Sequence, residues 1–205
     1  TARDHMRPFD AGSDGMLIGE GLGVVVLRRL ADAERDGQRV YAVLRGVGAS
    51  SDGRFSSIYA PRREGQELAL RRAYEESDVA PSSVGLLEAH GTGTPTGDPT
   101  ELAALHTVFG DAAGARIALG SVKSQIGHTK VAAGVAGLIK VALALHEKVL
   151  PPTIHVEAPH PANVPPNAAP VTVVLELSLD DVGRVTTARV LTSGGPAWDE
   201  AAPRA

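Results

Sequence analysis

The sequence predicts an α/β fold, and three features predict it. Short apolar runs, at residues 24–27 and 84–89, alternate with longer segments of helical period. The segment 129–145 is apolar on all sides, as a helix buried between layers would be. One apolar run ends directly at His90, and α/β proteins place ligands beyond the carboxyl ends of their strands.

Each element follows from local pattern. Val24, Val25, Val26 and Leu27 form a continuous run that predicts a strand buried on both faces. Residues 28–36 read as a helix stopped by Gly37. Residues 40–47 predict a second strand, and the polar, Gly- and Ser-rich stretch 50–61 a surface loop. In 61–77, Leu68, Leu70, Ala73 and Tyr74 recur amid charges, the pattern of an amphipathic helix. A third strand at 84–89 runs into a Gly/Thr loop at 90–97. Asp98 is placed to cap a helix over 99–109, with Pro99 at its first position and Glu101 in its first turn. A short strand at 117–120 and a loop at 121–128 follow, and Thr129 is placed to cap the long apolar helix. From Pro151 onward, repeated prolines predict extended, irregular chain, with one strand at 171–177 and disorder beyond residue 199.

Composition narrows the function. The chain has 205 residues, 43% of them hydrophobic and 21% charged, which is ordinary for a globular domain. A net charge of -4 without a basic, aromatic-interleaved stretch argues against nucleic-acid binding. No apolar run approaches the roughly 20 residues that span a bilayer. The first ten residues carry no signal-peptide pattern, so the expected location is cytoplasmic. With no cysteine, the 205 residues hold no thiol nucleophile, thiolate metal site or disulfide.

Two segments carry the candidate chemistry. In the first, 88–94, the glycines let a ligand approach the backbone, and Thr92 and Thr94 offer hydroxyls to a polar, extended substrate. A structural strand-end histidine in a turn is the bland alternative for His90. In the second, 120–128, His128 precedes the apolar helix, whose dipole disfavours the imidazolium. A neutral histidine there can donate to a developing oxyanion. Lys123 is the one charge in this loop and would orient a carboxylate or a histidine. The alternatives are a snorkelling lysine and a capping histidine. A Gly19-x-Gly21-x-Gly23 dinucleotide reading fails on order, since the glycines precede a strand. A metal site at His155 and His160 lacks supporting carboxylates.

Together the segments become specific. LLEAHGTGTPTGDPTE (86–101) and GSVKSQIGHTKVAAGVAGLIK (120–140) closely resemble the two histidine motifs of beta-ketoacyl synthases, in the form seen in polyketide and polyunsaturated fatty acid synthases. Arg7-Pro8-Phe9-Asp10, Asp14-Gly15, Gly19-Glu20-Gly21, Leu150-Pro151-Pro152-Thr153 and Pro161-Ala162-Asn163 fit the same family in the same order. The resemblance implies a thiolase-like fold, with this chain as the C-terminal half of its layered α-β-α-β-α architecture. Residues 1–30 would end the N-terminal half, 31–167 would form the C-terminal half, and 168–205 a divergent, partly disordered tail. It implies decarboxylative Claisen condensation, with catalytic His90 and His128, supporting Lys123, and Thr92 and Thr94 lining the pantetheine channel. No cofactor would bind directly; the substrate would ride on acyl-carrier-protein phosphopantetheine. Implied partners are the acyl carrier protein, the missing N-terminal ketosynthase half and, in the complete enzyme, a second copy in a homodimer, with neither nucleic acid nor membrane.

The tail departs from the family pattern: only Gly194-Gly195 echoes its glycine-rich final loop. The nucleophilic cysteine is expected in the half preceding residue 1, so the chain alone is expected to be inactive. Glu20 reads as structural. A thiolase would need a different cysteine–histidine arrangement. A non-catalytic, chain-length-factor-like partner usually loses catalytic residues, whereas His90, Lys123 and His128 are all present. An inactive fragment that merely folds is the third alternative.

Overall fold

A computed structural model describes residues 1–57, 60–110 and 117–161, together with two strands further on. The chain divides into two compact units, Thr1–Asn163 and Val164–Ala205.

The first unit carries α1 (Leu30–Arg35), α2 (Arg63–Ser77), β1 (Leu86–Glu88), α3 (Gly97–Phe109), β2 (Ala118–Gly120), α4 (Lys123–Ile126) and α5 (Ala133–Glu147). Turns of 3₁₀ helix lie at Pro81–Ser83 and Lys130–Ala132. β1 and β2 pair in parallel, with Leu86 opposite Ala118 and Glu88 opposite Gly120. A parallel pair needs a crossover, and α3 provides it. α2 is rich in Glu, Arg, Ala and Leu, all strong helix formers. An Arg63–Glu67 pair four residues apart supports it, and left-handed Asp78 ends it. It packs on α3 through an edge-to-face contact of Tyr74 and Phe109, centroids 5.4 Å apart.

The sequence reading needs correction at several elements. Residues 24–27 and 40–47 form no strand, and Val24 and Val26 are 77% and 91% exposed rather than buried. Apolar runs become strands only where a neighbour completes the ladder, and none does so among the described residues. These segments lie instead along helices. A Cβ on Gly23 would meet Val135 of α5 at 2.6 Å, and one on Gly48 would collide with the carbonyl of Ala69 in α2. Arg72 donates to the Ala49 carbonyl (2.7 Å), and the Val47 amide to Glu76 (2.6 Å).

The expected helix at 28–36 is shorter, ending before Gly37, whose φ of +62° suits its place after the helix. Asp98 is not the N-cap of α3: Thr96 holds that place without a side-chain cap, and Asp98 lies inside the first turn. The expected loop at 121–128 contains the single turn α4. Thr129 does not cap α5 either. A 3₁₀ turn comes first, and α5 starts at Ala133.

α5 is not buried all round. Ala133, Gly137 and Ala144 form one buried stripe, while Leu143 and Leu145 are 45% and 61% exposed. A helix buries only the faces that other elements cover, and here the described elements cover one.

In the second unit, β3 (Val174–Leu179) and β4 (Val185–Thr192) form an antiparallel hairpin. β3 overlaps the strand expected at 171–177; β4 had no counterpart in the sequence reading. The expected disorder beyond residue 199 lies outside the described residues.

Candidate active site

His90 follows β1 by two residues and sits on a loop held by backbone-directed carboxylates. Ala89 donates its N–H to Gly120 O (2.8 Å), fixing the loop to β2. Glu101, in the first turns of α3, accepts the N–H groups of His90 (2.7 Å) and Gly91 (2.8 Å). Asp98 accepts those of Gly93 (2.9 Å) and Phe9 (2.7 Å). Buried loop amides need acceptors, and early-turn acids supply them while facing the positive end of the helix. Burial raises the pKa of both carboxyls. Gly91 is required by its left-handed φ of +47°, and a Cβ there would press on Ser121 at 2.7 Å. The Thr92 and Thr94 hydroxyls bond to each other (2.8 Å), and Thr94 also accepts from Gly97 N–H (3.0 Å).

His128 is positioned by strand-like bonds to the chain near the N-terminus. Its N–H donates to Leu17 O (2.8 Å), and its carbonyl accepts from Gly19 N–H (3.1 Å). The Lys130 amide donates to His128 Nδ1 (3.1 Å). An accepting Nδ1 carries no proton, so the neutral ring holds its proton on Nε2.

The structure brings the two histidines together. Their ring centroids are 5.2 Å apart at an interplanar angle of 85°. Lys123 enters beside them from α4 and is 3% exposed. Burial pushes its pKa down, opposed by the carboxylates of Glu101, Glu88 and Asp98. One side of His90 stays open to solvent. Its pKa is nevertheless pushed down to about 4, first by loss of water around the ring, then by Lys123 and His128. His128 is buried, and desolvation, Lys123 and Lys130 lower its pKa in turn. Both rings are therefore neutral at pH 7: two N–H donors beside a buried ammonium.

His90, Thr92 and Thr94 line a cavity of about 680 Å³, together with Glu101 and Leu70 of α2. His128 is not among its lining residues. Among the described residues no three His, Cys, Asp or Glu side chains cluster to hold a metal. His155 stacks on His5, centroids 4.2 Å apart. No described helix is long and apolar enough to cross a membrane.

Three site residues escaped the sequence reading in their true roles. Asp98 read as a cap, Glu101 as a first-turn charge, and Glu88 as part of a strand. The available signal was two acids in the first helical turns after a glycine loop whose amides need acceptors.

Comparisons with known proteins show the family. The family description "Beta-ketoacyl synthase, C-terminal domain" matches residues 41–157, and "Beta-ketoacyl synthase, N-terminal domain" matches residues 1–33. The chain is 52% identical over 158 residues to a polyunsaturated fatty acid synthase protein of Thraustochytrium sp., covering 75% of this chain and 6% of that protein. It is 48% identical over 157 residues to a phenolphthiocerol/phthiocerol polyketide synthase protein of Mycobacterium tuberculosis, covering 76% of this chain and 8% of that protein. The chain thus spans less than a tenth of either relative. Among solved structures it resembles the ketosynthase from module 1 of the bacillaene synthase of Bacillus amyloliquefaciens. That match has a TM-score of 0.76 and 40% identity over 80% of this chain and 30% of that one. The fold is the thiolase-like fold of such ketosynthase domains. With paired histidine motifs, family descriptions that match residues 1–33 and 41–157, and relatives about half identical over three quarters of its length, the chain belongs to the beta-ketoacyl synthase family of polyketide and polyunsaturated fatty acid synthases.

Proposed function

We propose that this chain supplies the paired-histidine half of a condensing site for decarboxylative Claisen chemistry. One observation carries the reading: His90 and His128 face each other at 5.2 Å, and both are kept neutral. When a malonyl thioester loses carbon dioxide, the electrons of the broken C–C bond move into an enolate. Its charge rests on the thioester oxygen. The imidazole N–H groups, including Nε2–H of His128, stabilise that oxygen. The enolate carbon then attacks an acyl thioester held on a cysteine. A C–C bond forms and the cysteine thiolate leaves.

Desolvation, and after it the nearby Lys123, keeps the imidazoles uncharged. Thr92 and Thr94 serve the pantetheine arm that delivers the malonyl group from an acyl carrier protein; their place beside His90 in one cavity supports this. The cysteine must come from outside these 205 residues, which contain none. An N-terminal ketosynthase half is the partner proposed to bring it, in a complete enzyme that is a homodimer.

Two measurements test the reading. The chain alone, mixed with an acyl thioester, is expected to show no acyl adduct by intact-protein mass spectrometry. Reassembled by co-expression with a cysteine-bearing ketosynthase N-terminal half, it is expected to form β-ketoacyl product. His90→Ala or His128→Ala is then expected to cut the rate about 100- to 1000-fold. Undiminished condensation in both variants would refute the proposed roles.

A further inference from the structure

Glu88 stands outside the chemistry proposed above, yet its carboxylate links three segments around the site. Its side chain is 8% exposed and paired with Lys140 of α5, likewise 8% exposed, at 2.8 Å through Oε2. Its other oxygen, Oε1, accepts the amide N–H of Val122 at 2.6 Å. One carboxylate therefore joins β1, the start of α4 and α5. His90 lies two residues beyond Glu88, Lys123 is next to Val122, and α5 follows the turn that begins after His128.

The surrounding glycines make room for this arrangement. A Cβ on Gly137 would come within 3.1 Å of Glu88 Cγ, and one on Gly120 within 3.2 Å of Lys140 Nζ. Isolated buried ion pairs add little net stability over an apolar pair of similar volume. What this one provides is direction: a carboxylate oxygen held against a single backbone amide. A shorter, charge-assisted bond holds that amide more tightly than water or a neutral group would.

We propose that Glu88, oriented by Lys140, is a positioning residue that sets the distance between His90 and the Lys123–His128 side of the site by anchoring the Val122 amide. Glu88 itself does not touch substrate; it acts through the backbone at either end of its contacts. The inference rests on the condensing reading only where a rate is measured, since ring geometry is read without any reaction.

The test compares two double variants of the full chain. Glu88→Leu with Lys140→Met replaces the pair by an apolar one and leaves Val122 without its acceptor. Glu88→Gln with Lys140→Met is also neutral but keeps a carbonyl oxygen for Val122. In the unsubstituted chain, NMR is expected to show a nuclear Overhauser contact between the His90 and His128 rings. The apolar pair is expected to lose that contact while staying folded by circular dichroism, and the glutamine pair to restore it. In the reassembled enzyme, the apolar pair is expected to lose about a hundredfold in kcat with KM unchanged, the scale of an ångström-sized misplacement. Ring contact and kcat both retained by the apolar pair would overturn the proposal, as would failure of the glutamine pair to restore the contact. If the apolar pair does not fold, hydrogen exchange at the Val122 amide of the unsubstituted chain decides: strong protection is expected, and exchange at the unprotected rate overturns the proposal. Loss of the ring contact with an unaffected His90→Ala rate would sink the condensing reading and leave this inference standing.

Discussion

His90 and His128 arrive at one place by different routes, the first on a loop clamped to α3, the second through bonds to Leu17 and Gly19. Loss of water around the rings, and after it the nearby Lys123, lowers the pKa of both. Replacing Lys123 with Met is expected to raise the titration midpoints of both imidazoles, measured by NMR. Unmoved midpoints would remove the electrostatic role of the lysine. The His90 shift also has a signed effect on stability. Its folded pKa, about 4, lies below the ordinary 6.5, so between those values the unfolded chain binds the proton more readily. Stability is therefore lost as pH falls through that window and is intact above it. The buried acids Asp98 and Glu101, with raised pKa values, act in the opposite sense. Comparing wild type with His90→Gln isolates the histidine: urea unfolding from pH 7 to 4 is expected to show the larger loss in wild type. Equal losses would contradict the shift. The histidines were legible because each lies within a recognisable motif. Glu88 and Glu101 were not, because an acid serving a backbone amide looks, in sequence, like any acid on a strand or in a first helical turn.

At the level of elements, the loop after β1 depends on the first turns of α3. Asp98 is 1% exposed and answers two backbone amides from distant parts of the chain. Asp98→Ala would orphan both, so a loss of about 1–3 kcal/mol is expected in urea unfolding, from leaving buried donors unpaired. A loss within a few tenths of a kcal/mol would mean that the loop is held elsewhere. The helices α2, α3 and α5 were readable from period and composition, as were the short parallel strands flanking the crossover. The strands expected at 24–27 and 40–47 were not realised, since a strand's bonds are non-local and its apolar residues reveal nothing about where the partner lies. The start of α5 was misplaced for a different reason: the Lys130 amide bonds to the His128 ring, and a 3₁₀ turn intervenes before the helix proper.

Across the first unit, a broad apolar surface is open. Leu22 and Val26 are more than nine-tenths exposed, and Leu27 and Val47 about 70%, while α5 adds the exposed Leu143 and Leu145. A surface of this kind marks association rather than a free-standing monomer. The chain on its own is expected to self-associate at micromolar concentration in sedimentation velocity, and co-expression with the N-terminal ketosynthase half to suppress that association. A stable monomer alone would contradict the account of this face. The sequence foresaw an α/β layer with an all-apolar helix at its centre. An apolar helix that needs neighbours on every side also leads one to expect a flank without its covering layer, and Leu143 and Leu145 lie exposed on α5.

The most direct test of the paired neutral donors is a nitrogen-15 NMR measurement of the two imidazoles at pH 7. The account predicts both rings neutral, His128 carrying its proton on Nε2, with a ring-to-ring Overhauser contact between His90 and His128. An imidazolium at either position, a proton on Nδ1 of His128, or rings without mutual contact would contradict it.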